Sequence, residues 1–291
     1  MTERKFTTAW QPWVLPVLIL AVWQVLGVTG FLSQRILPTP LEVVEALIEV
    51  VLDGTLLEYV GSSTQRAFLG FIIGGSIAFL IGLLNGLFPV AERFIDTTVQ
   101  MLRTIPHLAL IPLVILWFGI GETSKLFLVS LGVAFPIYLN TFHGIRSVDP
   151  GLIEMGRVYG LKGVSLFTHV ILPGALSHIL LGVRFSLGIM WITLIVAETI
   201  AADSGIGYMA SHAREFMRMD VVVLCVILYA LLGKCSDLVT KFLERRLLQW
   251  HHNFANKLEQ EEEAMVMKEM GRVVPIARAW SWRPRSACSA G

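Results

Sequence analysis

Apolar segments of membrane-spanning character recur along the chain. Five of them show the pattern clearly, and they cover residues 13–28, 68–88, 125–140, 179–201 and 221–239. A spanning helix needs about 20 predominantly apolar residues, so each segment is a candidate span. A sixth segment, residues 107–118, is short and contains Pro112, with Pro106 just before it, so we expect it to extend backwards through 97–104 or to bend against its neighbours. The pattern predicts an all-α integral membrane protein with about six transmembrane helices.

The composition agrees with lipid as the solvent of most of the chain. Of the 291 residues, 55% are hydrophobic and 15% are charged, and the mean hydropathy is +0.68, which is far too apolar for a water-soluble domain of this length. The net charge of +1, without a long Lys/Arg run, argues against nucleic acid as a partner. Three cysteines without CxxC spacing indicate neither a disulfide framework nor a zinc site.

The positive charges predict the orientation, because Lys and Arg near helix ends are retained on the cytoplasmic side. Six spans with the N-terminus inside collect most of them on inner segments, namely Arg4, Lys5, Arg93, Arg103, Arg146, Arg157, Lys162, Lys241, Arg245 and Arg246. The outer segments hold Arg35, Arg66, Arg214 and Arg218. We therefore predict a cytoplasmic N-terminus at residues 1–12, a transmembrane domain at 13–248, and a polar, partly disordered cytoplasmic tail at 249–291.

The second predicted span carries small residues at a strict spacing of four. They are Gly70, Gly74, Ala78, Gly82 and Gly86. Such a glycine ladder lets another helix approach closely through van der Waals contact. Packing within the chain is the favoured interpretation, ahead of a subunit interface or a pore lining.

Motifs of catalysis are absent from the sequence. It contains no G-x-x-x-x-G-K-[ST] phosphate loop, no H-E-x-x-H metal pair and no G-x-S-x-G nucleophile turn. The seven histidines are scattered. We therefore predict no enzymatic role, no catalytic residue, no metal site and no cofactor bound by this chain. If ATP powers its action, another chain must hydrolyse it.

The predicted inner loop at 143–178 is too apolar for a flexible linker. Asp149 and Pro150 form a plausible helix start, as cap and first helical residue. Apolar residues then recur at helical spacing, with Gly160 or Gly163 as the end of the helix. Such a helix has to bury its apolar side, either in the lipid interface or against a partner.

The same loop carries a resemblance to a known family. Glu154-Met155-Gly156, then Gly160, then Ile171-Leu172-Pro173 resembles the E-A-A…G…I-x-L-P loop of binding-protein-dependent ABC importer permeases, with Met155 and Gly156 in place of the two alanines. The resemblance implies a type I ABC importer transmembrane domain, whose cytoplasmic coupling helix sits in a cleft of the ATPase subunit. It implies that Glu154 caps or orients this helix and that Gly160 allows a turn or a close backbone approach.

Further stretches are similar to permeases for aliphatic sulfonates, within the nitrate, taurine and bicarbonate permease superfamily. They are residues 35–38, 100–119, 135–146 and 196–216. The resemblance implies a homodimer in the inner membrane of a bacterium, two cytoplasmic ATPase subunits that hold ATP and magnesium, and a periplasmic or lipid-anchored solute-binding protein. Taurine, nitrate and bicarbonate remain alternative substrates. An ion-coupled secondary transporter is the alternative of another class, but it should show internal repeats and broken helices around a midplane charge, which the sequence does not show clearly.

Polar residues inside spans are costly and therefore candidates for the transport path or its gate. Glu198 lies near the outer end of the fifth span, where a structural bond to a backbone amide or a neighbouring helix is the favoured alternative. The other candidates are Asn85, Asn140, Thr193, Arg103 and His107, with Arg184 as a further match for an anion. We expect Arg103, His107 and Arg184 near the inner face, where snorkelling or headgroup contact is the ordinary explanation. Residues 203–207 predict an outer turn followed by a short helix.

Overall fold

The apolar periodicity of the chain produces helices throughout the part that the computed structural model describes, residues 11–31, 33 and 36–248. These helices are α1 (Gln11–Val28), α2 (Pro40–Leu52), α3 (Thr55–Leu87), α4 (Pro89–Arg103), α5 (Ile111–Phe118), α6 (Glu122–Arg146), α7 (Pro150–Val158), α8 (Gly163–Leu166), α9 (Leu172–Ala201), α10 (Ile206–Glu215) and α11 (Met219–Leu247). A 3-10 turn, His107–Leu110, leads into α5, and a π turn, Phe167–Ile171, joins α8 to α9. The predicted cytoplasmic tail at 249–291 and residues 1–10 lie outside the described residues.

Four described helical segments are long and apolar enough to cross a membrane. They are α3, α6, the continuous segment Gly163–Ile200 and α11. A fifth crossing arises if α4 and His107–Phe118 together form one bent span. The angle of the bend between them is 81°, which agrees with the predicted bend next to Pro106. The first predicted span corresponds to a shorter apolar helix, Val14–Val28. The all-α membrane fold is thus confirmed. Four or five spans are present among the described residues, so the predicted count of six is not fully confirmed.

The glycine ladder of α3 packs directly on α6. A Cβ atom on Gly70 would lie 2.6 Å from Cγ1 of Val129, and one on Gly74 would collide with the carbonyl oxygen of Ser130. Towards the other end of α3, the corresponding contacts join Gly82 to Thr141 and Gly86 to Ile145. Because residue numbers rise together along both helices, α3 and α6 run in the same direction. Packing within the chain, the favoured interpretation of the ladder, is confirmed.

Helix α9 packs on α6 in the opposite direction. Gly144 of α6 lies against His178 and Ala175 near the start of α9, whereas Gly132 lies against Thr193 nearer its end. Small residues again permit the approach. We call the end of the bundle that carries α7 and α8 the loop end. The distal end is the opposite one, where α3 and α6 begin and α9 finishes.

Polar side chains attach α4 to the loop-end half of α6. Arg146 forms an ion pair with Glu92, and the hydroxyl of Tyr138 donates a hydrogen bond to Asp96 Oδ1 at 2.7 Å. These contacts guide α4 from the loop end towards the middle of α6. The sharp bend at residues 104–106 then turns the chain into α5.

Helix α11 is joined to α9 by further polar bonds. The indole Nε1 of Trp191 donates to Ser236 Oγ at 2.8 Å, and Arg184 pairs with Asp237. Apolar residues of α11, Val221, Leu224, Cys225 and Tyr229, are buried in the largest apolar core cluster.

The chain divides into two compact units after Lys241. Of the second unit, the structure describes residues 242–248, which comprise the last turns of α11 and the residue after it. In these turns the guanidinium of Arg246 lies 5.4 Å from the ring centroid of Phe242.

Candidate functional site

The predicted coupling helix is α7, and it begins as its sequence indicates. The side chain of Asp149 accepts a hydrogen bond from the backbone N–H of Gly151 at 2.8 Å. Pro150 occupies the first helical position, where the missing N–H costs nothing and the fixed φ suits a helix. Glu154 lies inside α7 with an exposed side chain, beyond the first-turn amides that need a cap. Capping, one of the two roles implied for Glu154, therefore belongs to Asp149.

Gly160 ends α7, and Gly163 begins the next helix. Gly160 has a φ of +86°, which L side chains rarely adopt. Its N–H bonds the carbonyl oxygen of Arg157 at 3.0 Å, and the N–H of Leu161 bonds that of Gly156 at 3.0 Å. This pair of bonds is the Schellman motif of helix ends. Of the two roles implied for Gly160, the turn is the one that the backbone adopts.

At Gly156, α7 packs closely on α8 and on the π turn that follows it. It is buried, and a Cβ atom there would lie 2.8 Å from Leu166 Cδ1 and 3.1 Å from Val170 Cγ2. A larger residue at this position would therefore displace the side chain of Leu166, which the sequence motif alone did not indicate. On the same side of α7, Ile153 packs on a cluster that includes Leu172, next to Pro173 in the first turn of α9.

The other side of α7 is open. Leu152 and Met155 are exposed, and Val158 and Tyr159 are 86% and 81% exposed. Val164 of α8 continues this apolar surface. The predicted coupling loop therefore packs a short helix on one side and presents apolar side chains on the other.

A network of charged side chains joins the helices at the distal end. The Nε and Nη2 groups of Arg66 donate to the two carboxylate oxygens of Glu122 at 2.6 and 2.7 Å. Nη1 donates to Glu198 Oε1 at 2.9 Å, and the same guanidinium reaches the carbonyl oxygen and hydroxyl of Ser204 at 2.6 Å each. Lys125 also donates to Glu122, at 2.8 Å. We call Arg66, Glu122, Lys125, Glu198 and Ser204, with their direct partners, the distal network.

The side chain of Glu198 is fully buried within the distal network. Its carboxylate accepts hydrogen bonds from the hydroxyls of Ser63 and Tyr229 and from the N–H of Gly207, between 2.7 and 3.0 Å. Gly205, with a φ of +108°, leaves room for it, since a Cβ atom there would lie 2.5 Å from Oε1. The predicted turn at 203–207 and the short helix after it, α10, are confirmed. These bonds are the structural alternative that the sequence offered for Glu198.

Sequence reasoning missed the partners of Glu198. Arg66 lies just before the predicted second span but inside α3, which begins at Thr55. Arg66, Ser63 and Tyr229 are all buried. The sequence did contain one signal for this pair, because Arg66 lies only two residues before an apolar segment. A charge so close to a membrane span requires a partner.

The structure brings His107 and Thr193 together. His107 Nε2 lies 3.0 Å from Thr193 Oγ1, and both adjoin Gly132 near the middle of α6. The expectation that His107 lies near the inner face is therefore wrong, because α4 carries the chain away from the loop end before the bend. Arg103 is exposed at the end of α4, and Arg184 is bound to Asp237.

The two asparagine candidates lie in separate contacts. Asn85 Nδ2 donates to the hydroxyl of Tyr138 at 2.8 Å, while Asn140 Nδ2 donates to the carbonyl oxygen of Pro136, one turn earlier, at 2.9 Å. The candidates for the path therefore do not form one cluster. Within the described part of the chain, no group of three or more His, Cys, Asp or Glu side chains could hold a metal ion.

The helical bundle and the capped helix α7 in its loop agree with the predicted class, an ABC importer permease, and comparison with known proteins gives the same class. The chain belongs to the family of binding-protein-dependent transport system inner membrane components, whose sequence profile matches residues 70–249. It is an integral membrane transport component with several spans.

Particular relatives cover most of the chain. It is 58% identical over 248 residues to the putative aliphatic sulfonates transport permease protein SsuC of Escherichia coli K12, covering 85% of this chain and 94% of that protein. It is 46% identical to the protein of the same name from Bacillus subtilis 168, over 83% and 87% of the two chains. The taurine transport system permease protein TauC of Escherichia coli K12 is 34% identical, over 80% and 86%.

The fold also matches a solved structure. A crystal structure of an amino acid ABC transporter aligns with a TM-score of 0.57 and 18% sequence identity, covering 69% of this chain and 97% of that one. At this identity the likeness shows the shared fold alone.

Proposed function

We propose that this chain is the permease subunit of an ATP-driven importer and forms the translocation path for aliphatic sulfonates. The similarity to two permeases named for aliphatic sulfonates carries this proposal, because identities of 58% and 46% extend over more than four fifths of the chain. The taurine permease is more distant, at 34%. Taurine, nitrate and bicarbonate are the alternative substrates.

The proposal includes a separate ATPase. Two copies of this chain enclose the path, and two cytoplasmic ATPase subunits, which hold ATP and magnesium, dock on the two α7 helices. The open apolar side of α7, with Val158 and Tyr159 largely exposed, supports this role. Approach of the ATPases on ATP binding moves α7, and the seating of Gly156 on Leu166 passes the movement to α9.

We also propose an orientation of the bundle in the membrane. The loop end faces the cytoplasm together with both termini, and the distal end faces the periplasm, where a solute-binding protein delivers the anion. The membrane is the bacterial inner membrane. The positive-inside distribution of Lys and Arg supports this placement.

Reconstituted uptake tests the function. Proteoliposomes with this chain, its ATPase and its binding protein should accumulate an alkanesulfonate only when ATP is present on the ATPase side. Uptake by the chain alone on an ion gradient would instead make it a secondary transporter. Uptake of nitrate and not of alkanesulfonate by the complete complex would contradict the substrate.

Copurification tests the docking role separately. Met155→Glu and Val158→Glu place a charge on the open side of α7, so each should abolish copurification of the ATPase. Ile36→Glu is the matched control, because it adds the same charge to a residue that is 79% exposed outside the loop end. Undiminished copurification of both α7 variants would refute docking on this helix.

A further inference from the structure

Three basic side chains converge on one carboxylate between α9 and α11. The Nε of Arg184 donates to Asp237 Oδ1 at 3.0 Å. The ammonium groups of Lys234 and Lys241 lie 3.7 and 3.5 Å from Asp237 Oδ2. Three cations and one anion leave this cluster with a net charge of +2. We call these four residues the basic cluster.

The basic cluster keeps hydrogen-bond donors available. Arg184 uses Nε for Asp237, and its Nη1 and Nη2 groups bond no acceptor among the described residues. The side chains of Lys234 and Lys241 are 63% and 40% exposed. Asp237 holds the three cations near one point, so an incoming anion meets donors that are already gathered, and less conformational entropy is lost on binding.

The lysines lie on an exposed apolar face of α11. Leu231, Lys234, Leu238 and Lys241 follow at spacings of three and four, which places them on one side of the helix. Leu231 and Leu238 are 57% and 53% exposed. An apolar face that ends in lysines is typical of a helix surface that passes from acyl chains to headgroups.

The length of α11 places the lysine-bearing end of its exposed apolar face at the level of the lipid headgroups. Its 29 residues are about 43 Å long, which exceeds the hydrocarbon thickness of about 30 Å. A hydrocarbon core that begins near Asp220 ends about 20 residues later, close to Lys241. The ammonium of Lys234 reaches towards Asp237, which lies further along α11 in the direction of the loop end.

We propose that the basic cluster binds the phosphate of an anionic phospholipid, with Arg184, Lys234 and Lys241 as its donors. The complementary charge and the lipid-like face beside the cluster select this ligand. The site goes beyond the proposed transport function and does not depend on which solute is carried.

Lipid binding to the purified full-length chain tests the site. Native mass spectrometry after removal of endogenous lipid should show that phosphatidylglycerol binds more tightly than phosphatidylcholine. The double variant Lys234→Gln with Lys241→Gln should weaken phosphatidylglycerol binding about thirtyfold, since each basic residue near a membrane surface contributes about 1 kcal/mol. Lys234→Arg with Lys241→Arg should retain the binding.

Arg214→Gln is the control, because it removes one exposed positive charge from α10 and should leave lipid binding unchanged. Equal thermal unfolding of the glutamine variants and the wild type shows that they remain folded. Unchanged phosphatidylglycerol binding by the folded double glutamine variant would overturn the proposal. Displacement of phosphatidylglycerol by excess ethanesulfonate would assign the cluster to the transported anion and would also overturn it.

Discussion

Arg66 and Glu198 are 132 positions apart in the sequence, yet a hydrogen bond of 2.9 Å joins their side chains. The side chain of Glu198 is fully buried and that of Arg66 is 8% exposed. Through the same guanidinium, α3 is connected to Glu122 at the start of α6 and to Ser204 in front of α10. The distal end is therefore held by directional polar bonds, in contrast to the small-residue packing in the middle of the bundle.

Arg66→Gln should destabilise the protein strongly. The change leaves the buried carboxylate of Glu198 without its cation, and removal of one partner of a buried ion pair costs about 3–5 kcal/mol. Thermal unfolding in detergent should show a transition lower by several degrees. Arg214→Gln, which removes an exposed arginine, should leave the transition in place. An unchanged transition for Arg66→Gln would show that the pair contributes little.

Gly74→Ala should loosen the contact between α3 and α6. The added methyl group collides with the backbone of Ser130, and backbone atoms cannot rotate away as a side chain can. Overpacking of this kind costs about 1–3 kcal/mol. Gly61→Ala is a matched control on the same helix, because nothing lies within 4 Å of a Cβ atom there. Thermal unfolding of the two variants should separate them, and equal stability would contradict the close packing.

Gly160→Val should disrupt the end of α7, while Gly160→Asn should preserve it. The backbone at +86° costs an ordinary L residue roughly 1–2 kcal/mol, whereas asparagine is the common substitute for glycine at this position. Both variants should insert in the membrane, since nothing lies within 4 Å of a Cβ atom at Gly160. If α7 docks the ATPase, copurification should fall for valine only. Equal copurification of the ATPase with both variants would show that docking does not depend on the geometry of this turn.

The attachment of α2 should depend on pH through Glu49. Arg218 donates two hydrogen bonds to Glu49, at 2.8 and 2.6 Å, and together with its charge they lower the pKa of this carboxyl. Arg218 also pairs with Asp220, and these bonds raise the pKa of the guanidinium. Because the folded pKa of Glu49 lies below its ordinary value, the pair stabilises the protein fully above about pH 4.3. The stabilisation is lost as the pH falls through the lowered pKa.

Amide hydrogen exchange of residues 40–52, corrected for its intrinsic pH dependence, measures this effect. Exchange should accelerate in the wild type below about pH 4. Glu49→Gln should exchange fast at neutral pH as well, and Glu45→Gln on the same helix should behave as the wild type. A pH dependence that persists in Glu49→Gln would assign it to another group.

Local features of this chain could be predicted from the sequence. The glycine ladder, the start of α7 at Asp149 and Pro150, and the turn before α10 each depend on residues within a few positions of one another. The pairs of Arg66 with Glu198 and of Arg184 with Asp237 could not be predicted, because they join helices that are distant along the chain. The depth of His107 was missed for a related reason. It depends on the 81° bend, and Pro106 indicates that a bend occurs but not its angle.

The common direction of α3 and α6 has a consequence for biosynthesis. Two neighbours that cross the membrane in the same sense need a returning segment between them, and here α4 and α5 form it. Helix α3 therefore leaves the ribosome well before the helix that will cover its glycine face. Lipid tails are as apolar as a helix partner, so an uncovered face in the bilayer lacks packing but suffers no exposure to water. The close contact between α3 and α6 can thus be completed late in synthesis, once the returning segment has been inserted.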